Sequence, residues 1–377
     1  MNLCYISGHG CVRVHKMAMP LLSLGHKVHL ICGANRPGYY ELYDSFSHAA
    51  GVNHYIESIK MIAPHVDAFH CHNEPNWFVT AVKEHCDTPV ILDVHDSWLA
   101  RMTEEEEIEL RDQGKKAFRV YTEERNNFQL ADGLVFPSKT FANIIINEFA
   151  LDQPFLILPS YLPRQLYRYN CAEWMGGITY EGRIDLKSKH EDDSRYHGFR
   201  YCDYEQAANE FHDVGIDFHT YSLNDTPEFH KIYDDISYVH KGRGYEHLLK
   251  ALSRHDWGFV GNVFKTPEWD VAFPNKLFEY IAACVPIVAM NADACAEFVT
   301  DNGIGIEIKS IEELKGRWAE HRQCRINLIK QRQKWTMENN INDLLRLYED
   351  VCTKSREKST LSQAGPALSV LTSAKSL

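Results

Sequence analysis

The chain opens on a strand–helix–strand pattern that recurs along most of its length. A buried strand is predicted over Leu3–Ile6, an amphipathic helix over Val12–Leu24, and a second strand over Lys27–Cys32, after Gly25 has ended the helix. Strands joined by such a helix pair in parallel, because the crossover carries the chain back over one face of the sheet. A parallel sheet has helices on both faces, so the predicted fold class is α/β.

The strand–helix alternation is interrupted once, at the proline-containing run 159–163, and resumes with a strand over Gly177–Tyr180. The chain has 377 residues, and at roughly 150 residues per domain this favours two domains. We therefore predict two Rossmann-like, doubly wound domains that face each other across a cleft. Their predicted boundaries are 1–160 and 161–334, followed by a C-terminal helix over 335–352 that returns to the N-terminal domain and a disordered tail over 353–377.

Charge and cysteine content narrow the functional classes. The formal net charge is −12, which disfavours nucleic acid as a partner because that affinity comes from lysine and arginine neutralising phosphates. Eleven cysteines include no CxxC pair, so we interpret them as reduced thiols. Met1 is not followed by a cationic and apolar leader, and no apolar run reaches roughly 18 residues. We expect a cytoplasmic protein, with a peripheral contact at the inner membrane face left open.

The most informative segment is the predicted helix Pro274–Ala283. Free backbone N–H groups and the helix dipole attract an anion to a helix start, and Lys276 adds a positive charge there. Glu279, one turn further, can accept hydrogen bonds from a ribose diol. The combination is suited to a sugar nucleotide, although a solvated lysine and glutamate on a surface helix would give the same pattern.

This segment resembles the donor-binding segment of GT-B glycosyltransferases of the family 4 type. It reads PNKLFEYIAACVPIV, and Val285–Val288 fits the ending of the family pattern. Familiar members carry two glutamates here. Only the second is matched, by Glu279, while Val271 stands in place of the first. The resemblance leaves open how the sugar hydroxyls are held, with Asn275 or main-chain groups as candidates.

Five further segments resemble the same family in the same order, over roughly residues 1–350. The first comprises the loop Gly8–Gly10 together with the turn Gly25–Val28 that ends the following helix. The other four are Asp67–Pro75, Ile91–Asp96, Ala131–Ser138 and Gly182–Arg183. The resemblance implies a GT-B fold with the acceptor in the N-terminal domain and the nucleotide-sugar donor in the C-terminal domain. It further implies a retaining transfer of a hexose-type sugar to an acceptor hydroxyl. The commonest setting of relatives is surface polysaccharide or lipopolysaccharide assembly, with a glycan or lipid-linked acceptor.

The resemblance also assigns residues to the donor. Arg183 and a second cation neutralise the diphosphate without a metal, and Lys187 or Lys189 is the candidate for the second. No cofactor is expected beyond the donor itself, such as a UDP- or GDP-sugar. Gly10 would let backbone N–H groups approach the donor. Its loop lacks the full dinucleotide fingerprint and no acidic residue ends the second strand, so an NAD enzyme is disfavoured.

His95 is the catalytic candidate, because it ends a strand at the opening of the N-terminal sheet, where α/β folds place ligands. His72, Asn73 and Glu74 follow another strand end and are the candidates for the acceptor cleft. The pair His70-x-His72 could mimic a metal site, but the spacing of the sequence offers no evident third ligand, so no metal is predicted.

Three alternatives remain open at this point. A sugar-nucleotide epimerase of the same fold would share the donor helix and would need acid and base carboxylates in the cleft. A phage-type enzyme that glycosylates DNA bases is possible on the same scaffold, although the acidic charge counts against it. A sugar-binding protein without activity is the third.

Overall fold

The computed structural model describes residues 1–33, 40–72, 77–95, 120–167, 173–186 and 202–363, with five single positions between 97 and 112. The predicted site residues Asn73, Glu74 and Lys187, and the alternative Lys189, lie outside the described residues.

The N-terminal domain is a parallel sheet of seven strands in the order β3-β2-β1-β4-β5-β6-β7. Its strands are β1 Asn2–Ser7, β2 Lys27–Cys32, β3 Ser45–His48, β4 Ala68–His72, β5 Val90–Asp93, β6 Gly133–Phe136 and β7 Phe155–Ile157. Its described helices are α1 Val12–Ser23, α2 Val52–Ile62, α3 Phe78–His85, α4 Val120–Leu130 and α5 Lys139–Phe149.

The C-terminal domain is a parallel sheet of six strands in the order β10-β9-β8-β11-β12-β13. Its strands are β8 Ile178–Glu181, β9 Phe218–Tyr221, β10 Tyr238–His240, β11 Trp257–Gly261, β12 Ile287–Met290 and β13 Gly305–Glu307. Its helices are α6 Glu205–Asp213, α7 Pro227–Tyr233, α8 Tyr245–Leu252, α9 Pro267–Val271, α10 Asn275–Ala282, α11 Asp293–Asp301 and α12 Ile311–Gln331. α13, Met337–Gln363, closes the described chain.

The central strands β4 and β5 of the N-terminal sheet are buried along their whole length, and β1 shows that both faces of this sheet are covered. In β1 the side chains of Leu3 and Tyr5 enter one hydrophobic core while those of Cys4 and Ile6 enter another, because successive side chains of a strand point to opposite faces. The four are completely buried. The predicted α/β class with two Rossmann-like domains is confirmed.

The C-terminal helix α13 packs on the N-terminal domain. Ile341, Leu344 and Tyr348 are buried in the core that contains Leu3 and Tyr5. The chain leaves the C-terminal domain at Trp335, which is buried in that domain's core. The structure differs from the expected tail, since the helix continues past residue 352 to Gln363. Residues 353–363 contain neither proline nor glycine and include lysine, arginine and glutamate, which sustain a helix.

The two domains meet through side chains at the carboxyl ends of their strands. Ser138 Oγ donates a hydrogen bond to the backbone oxygen of Val271 (3.1 Å), and Val271 packs into the N-terminal core. Lys16 reaches across from α1 to the start of α10. In the part of the chain that the structure describes, no helix is both long enough and apolar enough to cross a bilayer.

Candidate functional site

A cavity of about 850 Å³ opens where the carboxyl ends of β8 and β9 face the N-terminal domain. Val12, at the start of α1, is the N-terminal residue that lines it, and the remaining lining belongs to the C-terminal domain. In doubly wound sheets this edge is where ligands bind. Four of the residues predicted for the donor line this cavity: Arg183, Asn275, Lys276 and Glu279.

The helix α10 begins at this cavity. Pro274 is its N-cap residue, with extended backbone angles, and no side chain caps the helix. Proline fixes φ near the value a helix start needs and lacks an N–H of its own. The N–H of Leu277 donates to the Pro274 oxygen (3.2 Å), so the N–H groups of Asn275 and Lys276 are the ones that a ligand would bind. The positive end of the helix dipole adds to their attraction for an anion.

Lys276 lies at this helix start, with its ammonium group over the rings of Tyr180 and Trp269. Its Nζ donates a hydrogen bond to the Tyr180 hydroxyl (3.0 Å) and lies 4.3 Å from the centre of the Tyr180 ring and 5.3 Å from that of Trp269. Burial lowers the pKa of Lys276, and the carboxyl group of Glu181 opposes that shift. Gly182, at φ +126°, leaves room for the Lys276 ammonium, because a Cβ at this position would lie 3.3 Å from the lysine Nζ.

Glu279 is buried one turn further along α10, with its carboxylate held from three sides. The Tyr245 hydroxyl donates to Oε1 (2.9 Å), the Lys16 ammonium lies 3.6 Å away, and Glu181 hydrogen-bonds to it. Burial would raise the pKa of Glu279, but Lys16 and the two hydrogen bonds lower it below its ordinary value. The pKa of Glu181 is raised well above its ordinary value by burial and by the neighbouring Glu279. Glu279 is therefore the stronger acid of the pair and Glu181 the weaker.

Lys16 is the functional residue that the sequence reasoning missed. Its Nζ donates to Asn275 Oδ1 (2.9 Å) and to the backbone oxygen of Ser160 (3.3 Å), besides pairing with Glu279. It is 2% exposed although it is a lysine, which is rare without a charged partner. The available signal was the spacing of Arg13 and Lys16, three positions apart on a helix that is otherwise largely apolar.

Arg183 occupies the rim of the cavity. Its side chain is 54% exposed, and its Nε forms an ion pair with Asp185 Oδ2 (2.7 Å). A surface pair of this kind contributes little energy and is easily rearranged, so the guanidinium can turn toward a phosphate. The predicted second cation, Lys187, lies outside the described residues and stays a prediction.

Gly10 is placed elsewhere than the sequence suggested. It is buried, and a Cβ there would meet His15 Nε2 at 3.3 Å and Cys32 Sγ at 3.8 Å. The residue therefore allows close packing of α1 on β2, and the described lining of the cavity contains Val12 but not Gly10.

His95 belongs to a buried ionic cluster in the N-terminal domain. Its Nδ1 hydrogen-bonds to Asp93 Oδ2 (2.7 Å), and Arg13 donates to both oxygens of the same carboxylate. Burial opposes a charge on the ring, yet Asp93 and the Cys11 thiol raise the pKa of His95 well above its ordinary value. His95 lines a separate cavity of about 40 Å³, against Phe273 of the other domain. The structure places it at the domain junction but outside the lining of the larger cavity.

His72 does not line an open surface. It is completely buried and its Nδ1 lies 3.1 Å from Asp93 Oδ2, so it helps to hold that carboxylate. His72 also has two polar neighbours that the sequence spacing did not reveal. One ligand atom each of His72, Asp93 and His95 lies within 4.8 Å of the other two. Neighbouring His70 contacts the Tyr348 hydroxyl (2.6 Å) of α13.

A family comparison matches part of the C-terminal half. Residues 207–343 match the model of the glucosyltransferase 3-like C-terminal domain. The matched stretch contains α10 with Lys276 and Glu279. No curated protein matches the chain by sequence.

Solved structures match nearly the whole chain. Sucrose-phosphate synthase from Thermosynechococcus elongatus superposes with a TM-score of 0.69 at 12% identity, over 92% of this chain and 98% of that one. HepE from Anabaena, in complex with UDP-glucose, has a TM-score of 0.65 at 10% identity, over 94% and 100%. WaaG, a glycosyltransferase involved in lipopolysaccharide biosynthesis, has a TM-score of 0.57 at 13% identity, over 91% and 99%. The chain thus has the GT-B fold of glycosyltransferases, and residues 207–343 resemble the glucosyltransferase 3-like C-terminal domain.

Proposed function

We propose that the protein is a retaining glycosyltransferase that moves a hexose-type sugar from a nucleoside-diphosphate sugar to an acceptor hydroxyl. The observation that carries this proposal is the 850 Å³ cavity at the uncapped start of α10, lined by Lys276 and Glu279. An uncapped helix start and an adjacent ammonium suit a diphosphate, and a buried carboxylate one turn away suits a ribose diol.

The protein's own groups would supply the charge stabilisation. As the bond between the sugar and the diphosphate breaks, negative charge grows on the leaving phosphate, and the N–H groups of α10, Lys276 and Arg183 are placed to stabilise it. No metal is required in this scheme, because the cations are side chains. Retention of configuration by front-face attack rests on the family 4 resemblance.

The acceptor would enter from the N-terminal domain. The contact with Asp93 favours the charged form of His95, which lies at the domain junction beside Phe273. A closing movement of the two domains would bring it toward the transferred sugar and exclude water, which limits hydrolysis of the donor.

The biological setting is proposed from similar proteins. The structure of HepE contains UDP-glucose, and WaaG is involved in lipopolysaccharide biosynthesis. A UDP-sugar is therefore the first choice of donor, and surface polysaccharide or lipopolysaccharide assembly is the first choice of pathway. A glycan or lipid-linked acceptor and a cytoplasmic location, with peripheral contact to the inner membrane, accompany this setting.

The test is a thermal-shift panel of UDP-, GDP- and ADP-sugars, followed by assay of sugar transfer with the donor that binds. A ligand that binds only the folded state raises the apparent melting temperature, by an amount that grows with its concentration relative to Kd. Lys276→Ala and Glu279→Gln should abolish the shift. Lys250→Ala and Glu297→Gln, at exposed positions of the same domain, should retain it. Absence of a shift with every donor would reject the proposal.

One observation favours a second candidate, a sugar-nucleotide epimerase. Glu181, whose pKa is raised by burial and by Glu279, lies in the cavity beside Glu279, whose pKa is lowered by Lys16. An epimerase needs an acid and a base there. Incubation with UDP-GlcNAc and analysis of the nucleotide sugar separates the two: an epimerised product without an acceptor identifies the epimerase.

A further inference from the structure

Three histidines converge in the C-terminal domain, behind the wall of the donor cavity. His219 lies on β9, His240 ends β10, and His255 stands in the turn before β11. Each offers one ring nitrogen, and the three nitrogens lie within 4.8 Å of one another. The sequence spacing does not suggest this cluster, because the parallel pairing of β9 and β10 and the crossover through α8 create it.

His255 is oriented as a metal ligand would be. Its Nδ1 lies 2.8 Å from the backbone oxygen of Gly176, and since a carbonyl can only accept, Nδ1 carries the proton. The lone pair is therefore on Nε2, where the Tyr221 hydroxyl lies 2.9 Å away. Histidines that bind metals usually donate their other N–H to a carbonyl or carboxylate, which fixes the tautomer and the ring orientation.

His219 and His240 face each other nitrogen to nitrogen. His219 Nδ1 lies 2.9 Å from His240 Nε2. His219 is 3% exposed, and its Nε2 has no hydrogen-bond partner among the described residues. A buried polar atom without a partner is costly. An aromatic ring would fill the same space without that cost.

The other histidine cluster among the described residues already holds a cation. Asp93 of the cluster with His72 and His95 already holds the Arg13 guanidinium through both oxygens, and a metal there would lie against a buried positive charge. Two arginines, Arg243 and Arg254, lie near the C-terminal cluster, and the guanidinium of Arg254 pairs with Glu173 at 2.9 Å.

We propose that His219, His240 and His255 form a binding site for one divalent transition metal ion, with zinc as the preferred occupant. Three imidazoles with an open fourth position suit Zn²⁺, which takes nitrogen ligands at about 2.0–2.1 Å in a tetrahedral arrangement. The Tyr221 hydroxyl or a water would complete the site. The ion would tie β9, β10 and the turn before β11 together, and it would steady Tyr221, which lines the donor cavity. The proposal does not depend on the transferase reaction, in which the ion takes no part.

The experiment titrates chelator-treated full-length protein with ZnCl₂ by calorimetry, and repeats the titration with Co²⁺ while recording its visible absorption. His240→Gln removes one ligand at a partly exposed position and keeps a hydrogen-bonding side chain, and His247→Ala changes an exposed histidine of the same domain. We expect one ion per chain at this site in the wild type and in His247→Ala. Loss of a hydrogen-bond partner of a metal ligand typically lowers metal affinity roughly 10–100-fold. Loss of a ligand itself, in His240→Gln, should lower the Zn²⁺ affinity by at least that much.

Circular dichroism establishes that each variant is folded. Thermal melts give a second readout, which does not depend on the heat of binding that calorimetry measures. Zn²⁺ should raise the melting temperature of the wild type and of His247→Ala but not of His240→Gln. Equal affinity and equal stabilisation in His240→Gln and the wild type would overturn the proposal. Binding that is kept in His240→Gln and lost in His95→Gln would overturn it as well, and would place the ion in the N-terminal domain. If His240→Gln is unfolded, a wild type that neither binds Zn²⁺ nor is stabilised by it overturns the proposal equally.

Discussion

Replacing Lys16 by methionine should expose how strongly the two domains are joined at the donor site. The side chain keeps nearly its length and loses its charge, so Glu279 stays buried beside Tyr245 without the ammonium 3.6 Å away. Coulomb's law with an effective dielectric constant of about 20 gives an attraction of roughly 5 kcal/mol at this distance. Desolvation of both groups offsets part of it, and removing one partner of a buried pair typically costs about 3–5 kcal/mol.

We expect Lys16→Met to lower the free energy of unfolding by about 3–5 kcal/mol at pH 7–8, measured by denaturant titration. The pKa of Glu279 is lowered in the folded wild type. The stabilisation from its pairing is therefore present above the unfolded pKa of about 4.3 and is lost as the pH falls through the folded pKa. The difference between variant and wild type should accordingly be constant above about pH 4.3 and shrink below it.

A double-mutant cycle with Glu279→Gln isolates the pair. Glutamine leaves no carboxylate to be stranded, so the double variant should be more stable than the sum of the single effects predicts, by up to about 3 kcal/mol. Additive effects, or a cost of Lys16→Met that is the same at about pH 3 and at pH 8, would refute the electrostatic reasoning and leave only lost packing.

Three further outcomes follow from the structure. Tyr348→Phe removes the hydroxyl between His70 and Tyr5 (2.6 and 3.0 Å) and should cost about 1–3 kcal/mol of unfolding free energy, against almost nothing for the exposed Tyr238→Phe. Gly182→Ala should weaken donor binding through strain at φ +126° and crowding of Lys276, whereas Gly215→Ala, at φ +71° in open space, should cost stability alone, as melts and nucleotide titrations would show. His95→Gln should destabilise the protein below about pH 6.5 and progressively less at higher pH, because the raised pKa of His95 stabilises the fold until the ring deprotonates.

The sequence predicted the fold because its strands are buried on both faces. The predicted strands Lys27–Cys32 and Gly133–Phe136 have the bounds seen in the structure. Weakly apolar elements escaped that reasoning: β3, Ser45–His48, has no fully buried side chain, and β10, Tyr238–His240, is an edge strand with an exposed tyrosine.

The donor half of the site was predictable because one short helix carries it. Asn275, Lys276 and Glu279 are close in sequence, so their spacing alone places them at one helix start. The groups that set their charge come from distant segments: Lys16 from the other domain, Tyr245 from α8 and Glu181 from β8. Only the folded chain brings those residues together, and the histidine cluster escaped the sequence for the same reason.

The central claim is that a nucleoside diphosphate binds at the start of α10, against Lys276 and Glu279. Its most direct test is calorimetric titration of UDP, GDP and ADP into the wild type, Lys276→Ala, Glu279→Gln and the control Lys250→Ala. One nucleotide should bind the wild type and the control with equal affinity, and both site variants should lose at least about tenfold, or 1.4 kcal/mol. Equal affinity in all four proteins, or no binding of any of the three nucleotides, would contradict the claim.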